Sequence, residues 1–230
     1  MSRTVGVIGG MGPAATLDFC GRVLALTPAS ADQDHLRLIV DNNPHVPDRN
    51  KAIAGQGPSP APVLAAMARG LKGAGADLLV MPCNTAHAFA AEVRAATDLP
   101  FIDIIETTAA AALAAMPGLR RAGVLGAAGC LDAGLYQAAF RARGVEALVP
   151  TGGLRERFMT LLYAIKTGHT GPKATAEMAA IAGVLVDQGA EAIIAGCTEV
   201  PLVLGAGDLA VPLVNSTDAL ALATIAAATA

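Results

Sequence analysis

The chain has 230 residues, 53% of them hydrophobic and only 15% charged, with a formal net charge of −3. Such a composition buries a substantial core and excludes a disordered or fibrous chain. It contains no stacked run of Lys and Arg, so neither nucleic acid nor an anionic membrane surface is an expected partner, and no run of about 18 strongly apolar residues offers a membrane span.

The first ten residues hold one Arg and then a short apolar run closed by glycines, with no signal-peptide cleavage pattern. They read as the first buried strand of a cytoplasmic protein. Further strands are expected at about 36–41, 77–82, 100–102, 121–126, 145–149, 191–196 and 211–214, after the first at about 4–9. Each is followed by Gly, Asn or Pro and then by an Ala-rich segment of helical length, the mark of repeated β-α units. Hydrophobicity within the strands is continuous, as in Ala76-Asp-Leu-Leu-Val-Met and Ala192-Ile-Ile-Ala. Strands of that kind are covered by helices on both faces, so the sheets should be mostly parallel. The segment from about 42 to 59, with prolines at 44, 47 and 58, reads as a structureless lid or binding loop carrying Arg49.

The chain also resembles itself. Arg3-Thr-Val-Gly-Val-Ile-Gly-Gly-Met-Gly overlays Arg120-Arg-Ala-Gly-Val-Leu-Gly-Ala-Ala-Gly at an offset of 117, pairing Gly6 with Gly123 and Phe19 with Tyr136. Gly75-Ala-Asp-Leu-Leu-Val-Met-Pro-Cys overlays Gly189-Ala-Glu-Ala-Ile-Ile-Ala-Gly-Cys at an offset of 114, pairing Cys83 with Cys197. Two ordered matches imply duplicated halves. The expected fold is therefore α/β: two similar domains with mostly parallel sheets, related by a pseudo-twofold axis, with the site in the cleft between them. The expected division is residues 1–100 with about 210–230, and about 101–209.

Four cysteines, at 20, 83, 130 and 197, are too few and too scattered for a disulfide framework. The one close Cys/His pair, Cys83 with His87, is a poor metal signature and a poor nucleophile-base pair, so no metal is expected. His87, His35 and His45 read as facing the sheet or capping packing, and His169 as near the rim of the site. Cys83 and Cys197 each stand between a buried strand and a helix start, at Asn84-Thr85 and Thr198-Glu199. Ligands bind at that edge of a parallel sheet, and helix-start N–H groups attract a carboxylate and lower a thiol pKa. Two thiols facing one ligand suit inversion of a stereocentre next to a carboxylate, where one face loses a proton and the other gains one.

At these residues the chain resembles a known family. Gly9-Gly-Met-Gly-Pro-Ala-Ala-Thr-Leu-Asp-Phe, Asp32-Gln-Asp-His, Asn42-Asn-Pro-His-Val-Pro-Asp-Arg, Met81-Pro-Cys-Asn-Thr-Ala-His and Gly196-Cys-Thr-Glu-Val-Pro-Leu are similar to the aspartate racemase branch of the cofactor-independent aspartate/glutamate racemases. The resemblance covers nearly the whole chain. It implies two α/β domains, usually a homodimer, no cofactor, a small acidic amino acid as substrate, and Cys83 and Cys197 as the acid/base pair. It further implies that Asn84, Thr85 and Thr198 hold the α-carboxylate and amino group, that Arg49 anchors the side-chain carboxylate, that Lys166 is a second basic contact, and that Met11 and Glu199 complete the substrate site. Glu199 stands where the related glutamate racemase branch typically carries His, and one segment departs from the pattern: Gly126-Ala-Ala-Gly-Cys130 replaces a threonine-rich Ala-Thr-x-Gly-Thr loop, which removes potential hydrogen bonds to the substrate. In that loop Cys130 reads as a loop residue rather than a third catalytic thiol.

Two other readings compete. Gly10, Gly12 and Ala15 fit a dinucleotide-binding loop, with Asp41 as ribose acceptor, which would make the chain an oxidoreductase. A catalytically silent binder of the same fold is the other. Pyridoxal phosphate is not expected, because the two thiols already supply the proton carriers and only Lys166 among the lysines falls near the site.

Overall fold

The computed structural model describes residues 2–230. In the first half β1 (Val5–Gly9), α1 (Pro13–Leu26) and β2 (Leu38–Asn42) are followed by the short α2 (Arg49–Ile53), α3 (Ala61–Gly73) and β3 (Leu78–Val80). Then come α4 (Ala90–Ala96), β4 (Phe101–Ile102) and α5 (Ile104–Ala115). The second half runs β5 (Arg121–Val124), α6 (Ala128–Asp132), α7 (Leu135–Arg141), β6 (Glu146–Leu148), α8 (Gly152–Lys166) and α9 (Pro172–Asp187). It ends with β7 (Ala192–Ala195), β8 (Leu213–Asn215) and α10 (Ser216–Thr229). All eight expected strands are present, in two parallel four-stranded sheets ordered β2-β1-β3-β4 and β6-β5-β7-β8.

The duplication reaches the level of single contacts. A Cβ on Gly6 would lie 2.8 Å from Leu79, 2.9 Å from Ala76 and 3.2 Å from Leu71. One on Gly123 would lie 2.6 Å from Ile193, 3.1 Å from Ala190 and 3.1 Å from Leu185, each partner displaced by 114 residues. In both sheets a helix and a neighbouring strand press onto the middle of the central strand, and only glycine leaves room.

One buried cluster joins the halves. It packs Val5, Val7 and Phe19 of the first half with Val124, Tyr136 and Phe140 of the second, while separate clusters cover the outer faces of the two sheets. The last helix of each half crosses over: α5 packs on α7, β7 and β8, and α10 packs on α1, β3 and β4. The crossings are capped alike. Asp103 accepts from the N–H groups of Ile105 and Glu106 at 2.9 and 3.3 Å, and Asn215 accepts from those of Thr217 and Asp218 at 2.8 and 3.4 Å. The C-terminal segment is consequently split. While α10 lies with the first sheet, β8 pairs with β7 in the register Ile193↔Leu213, so the expectation that everything from about 210 belongs to the first half does not describe β8.

The segment read as a structureless loop from 42 to 59 contains α2. Asp48 caps it by accepting from the Lys51 N–H at 3.0 Å, and an Asp cap can start a helix that has no apolar periodicity to announce it. Among the described residues no helix is long and apolar enough to cross a membrane.

Candidate active site

Cys83 follows β3 and Cys197 follows β7, and each is only 6% exposed. The helices expected to begin there are 3-10 turns, Thr85–Phe89 and Val200–Leu202, so the local field comes from a few free N–H groups rather than a long helix dipole. The N–H groups of Asn84, Thr85 and Thr198 meet no backbone acceptor among the described residues.

Both cysteines line one cavity of about 70 Å³ at the carboxyl ends of the two sheets. Its wall also contains Met11, Arg49, Asn84, Thr85, Lys166, Thr198 and Glu199, so every sequence-selected site residue is brought together. Ala127, from the altered 126–130 loop, completes the lining together with Asp48, Asn50 and Tyr163, for which the sequence reading has no expectation. Asp48 and Asn50 flank Arg49 in sequence and could have been found from the capping pattern, whereas Tyr163 arrives only through tertiary packing of α8.

Arg49 is the first residue of α2 and half-buried. Its Nη1 donates to the carbonyls of Val46 and Pro47 at 3.1 and 3.0 Å, which fixes the guanidinium at the cavity wall. Among the described residues no carboxylate pairs with it. The α2 segment is fastened across the cleft, because the Gly129 N–H donates to Asn50 Oδ1 at 2.8 Å. A Cβ on Gly129 would come within 2.9 Å of that oxygen and 3.1 Å of Thr85 Cγ2. The glycine of the altered 126–130 loop thus admits α2. Ala127, where the resembled pattern has a hydroxyl, gives the cavity an apolar patch, and Cys130 lies fully buried inside α6 rather than in a loop, where burial pushes its thiol up.

The Cys197 thiol donates to Glu199 Oε2 at 2.9 Å, and Lys166 pairs with Oε1 of the same buried carboxylate. At Cys197 the thiol pKa, expected to fall toward neutrality, is instead pushed well above its ordinary value. Burial is the main cause and the Glu199 charge adds to it, against the opposing charge of Lys166. Burial would lower the Lys166 ammonium, but the charges of Cys197 and Glu199 outweigh it and hold its pKa up.

His87 is buried and fully bonded. Its Nε2 accepts from the Ile104 N–H at 3.1 Å, so its proton resides on Nδ1 and is donated to the Cys83 carbonyl at 2.9 Å. His45 is exposed and His35 half-buried, and His169 lies exposed beyond the cavity wall.

The dinucleotide reading finds no support. The Gly10 N–H donates to Thr16 Oγ1, Asn43 O occupies the space a Gly10 Cβ would take at 2.1 Å, and Glu199 Oε1 stands 3.5 Å from the Cβ position of Gly12. An anionic side chain at that turn opposes a pyrophosphate.

Comparisons with known proteins place the chain in a family. The family model described as Asp/Glu/Hydantoin racemase matches residues 8–224. The chain is 27% identical over 229 residues to the broad specificity amino-acid racemase RacX of Bacillus subtilis, covering 96% of each chain. Among solved structures it is similar to the aspartate racemase of Picrophilus torridus, with TM-score 0.89, 27% identity, and 99% of this chain and 94% of that one covered. The glutamate racemase of Francisella tularensis, solved with D-glutamate, shares the fold at TM-score 0.69 and 17% identity, over 98% of this chain and 80% of that one.

Proposed function

Since the chain belongs to the Asp/Glu/Hydantoin racemase family and is an amino-acid racemase, we propose that it inverts the α-carbon of an acidic amino acid, aspartate or glutamate, by proton transfer between Cys83 and Cys197 without a cofactor. What carries the reading is the placement of both thiols in the wall of one cavity beside an arginine that, among the described residues, has no carboxylate partner.

Arg49 receives the side-chain carboxylate by charge-assisted hydrogen bonds. The α-carboxylate sits against the N–H groups of Asn84, Thr85 and Thr198. The Cys83 thiolate removes the α-proton, the C–H electron pair remains on Cα and spreads into the carboxylate, and the Cys197 S–H delivers its proton to the opposite face. The enzyme is left with a Cys83 thiol and a Cys197 thiolate, the form that runs the reverse direction. Fixed N–H donors stabilise the charge that develops on the carboxylate. Glu199 keeps the proton on Cys197 between turnovers, and Lys166 offsets the carboxylate's charge. The four free cysteines fit a reducing compartment such as the cytoplasm. Exposed Leu17 and Leu24 of α1, beside Leu222 of α10, offer an apolar face for the homodimer that the resemblance implies.

A racemisation screen over the common amino acids, read by chiral chromatography, is expected to find aspartate or glutamate turned over, and turnover confined to neutral amino acids would displace the acidic-substrate reading. With the substrate in hand, Cys83→Ser and Cys197→Ser should each lower racemisation by about 10²- to 10⁴-fold. Each variant should still exchange the α-proton of one enantiomer in heavy water, with opposite preference. Near-normal racemisation in both variants would refute the two-thiol mechanism.

A further inference from the structure

Asn84, next to Cys83, belongs to a chain of buried hydrogen bonds with a fixed direction. Ser216 Oγ lies 2.6 Å from the Ala195 carbonyl, which can only accept, so the single Ser216 proton goes there. Facing Asn84 at 3.2 Å, Ser216 Oγ can then only accept, and the Asn84 group opposite it must be the NH₂. The amide oxygen is thereby turned to Tyr136, whose hydroxyl donates to it at 2.6 Å. Tyr136 and Ser216 are fully buried and Asn84 is 2% exposed, so no bulk water competes for these bonds. Among the described residues the second N–H of the Asn84 amide has no partner, and the residue lines the cavity.

The arrangement has no counterpart in the other half. The residue equivalent to Tyr136 is Phe19, which lacks the hydroxyl, and the residue equivalent to Asn84 is Thr198. The polar chain therefore serves one side of the site alone. It starts at a carbonyl of β7 two residues before Cys197, passes through the first residue of α10, and ends beside Cys83. An anion in the cavity meets a donor if the amide keeps this orientation and a carbonyl oxygen if it flips.

Resting on the racemase reading above, we propose that Ser216 is a positioning residue: taking direction from the Ala195 carbonyl, it locks the Asn84 amide with a donor toward the substrate's α-carboxylate, and Tyr136 anchors the amide's other end.

Ser216→Ala, Ser216→Thr and Tyr136→Phe are compared with the parent for KM and kcat in both directions and for thermal unfolding. Ser216→Ala frees the amide to flip and should raise KM for both enantiomers about tenfold, with kcat changed less than about threefold. Ser216→Thr keeps the hydroxyl and should restore KM. Tyr136→Phe leaves Ser216 to set the orientation, so its KM should rise less than that of Ser216→Ala even if it unfolds at a lower temperature. An unchanged KM in Ser216→Ala, or KM effects that rank with thermal destabilisation instead of with loss of the Ser216 hydroxyl, would overturn the proposal. If the parent racemises no amino acid, the function proposed above fails first. Calorimetric binding of aspartate then decides this one: weaker binding in Ser216→Ala upholds it, and equal or absent binding in parent and variant rejects it.

Discussion

Cys197 Sγ stands 2.9 Å from Glu199 Oε2, while the residue two places after its counterpart Cys83 is Thr85, which has no charge. Two thiols related by a pseudo-twofold axis thus rest in unlike electrostatic surroundings. The carboxylate and burial both hold the proton on Cys197. Replacing Glu199 by Gln removes the like charge while leaving Lys166 in place, and both consequences favour the Cys197 thiolate. The basic limb of the pH profile of kcat, which reports the enzyme–substrate complex, should therefore move to lower pH in the direction for which Cys197 is the acid. The opposite direction should show no such move. Superimposable shifts of both limbs would mean that Glu199 acts on the site as a whole and not through Cys197.

Arg49 has its Nη1 tied to two backbone carbonyls, so only the rest of its fork is available to a ligand. Arg49→Ala should weaken binding of dicarboxylate amino acids by about 1.5–3 kcal/mol, tenfold to a hundredfold, without unfolding the protein. Arg49→Lys should recover little, because a point charge cannot hold the loop carbonyls and a carboxylate together. Calorimetric titration with aspartate and glutamate is the measurement, and an undiminished affinity for both would remove Arg49 from the site.

The pH dependence of folding should carry a contribution from His87. Burial, the largest influence, lowers its pKa against the smaller opposing effects of Asp103 and the Cys83 carbonyl. The unfolded chain then takes up a proton near the ordinary value of about 6.5 while the folded chain does not. Stability from this residue is complete above that pH. As the pH falls toward the lowered folded value it should be lost at about 1.4 kcal/mol per pH unit. Urea denaturation from pH 7.5 to 5 would detect it, as would its disappearance from the slope in His87→Gln. An unaltered slope in that variant would assign the acid sensitivity elsewhere.

Much of this architecture is readable in the amino-acid order because parallel strands covered on both faces leave unbroken apolar runs, and a duplicated fold leaves a constant offset. The same logic located the cysteines, which recur at equivalent strand ends. What escaped has two physical origins. The helix α2 is too short to show periodicity, and its one signal was Asp48 ahead of Arg49. Tyr163 reaches the cavity through tertiary packing that no local pattern encodes. The hydroxyl of Tyr136 is in plain view, since the repeat pairs Tyr136 with Phe19, and the difference of one oxygen between repeats marks the polar chain that ends at Asn84.

The exchange of α5 and α10 bears on how the cleft can move. The backbone passes from one side to the other at Asp103 and again at Asn215, and each crossing delivers a helix that becomes the far side's own wall. Two lobes laced in this way cannot swing apart like a clamshell on a single strap without stripping Leu220 and Ile225 from one face or Ile104 and Ala109 from the other. Lacing of this kind favours small sliding of the lobes along their shared core over hinge opening, with α2 fastened across the cleft by the bond from the Gly129 N–H to Asn50. The spacing of Cys83 and Cys197, at the ends of β3 and β7, is then held by the core that both lobes share.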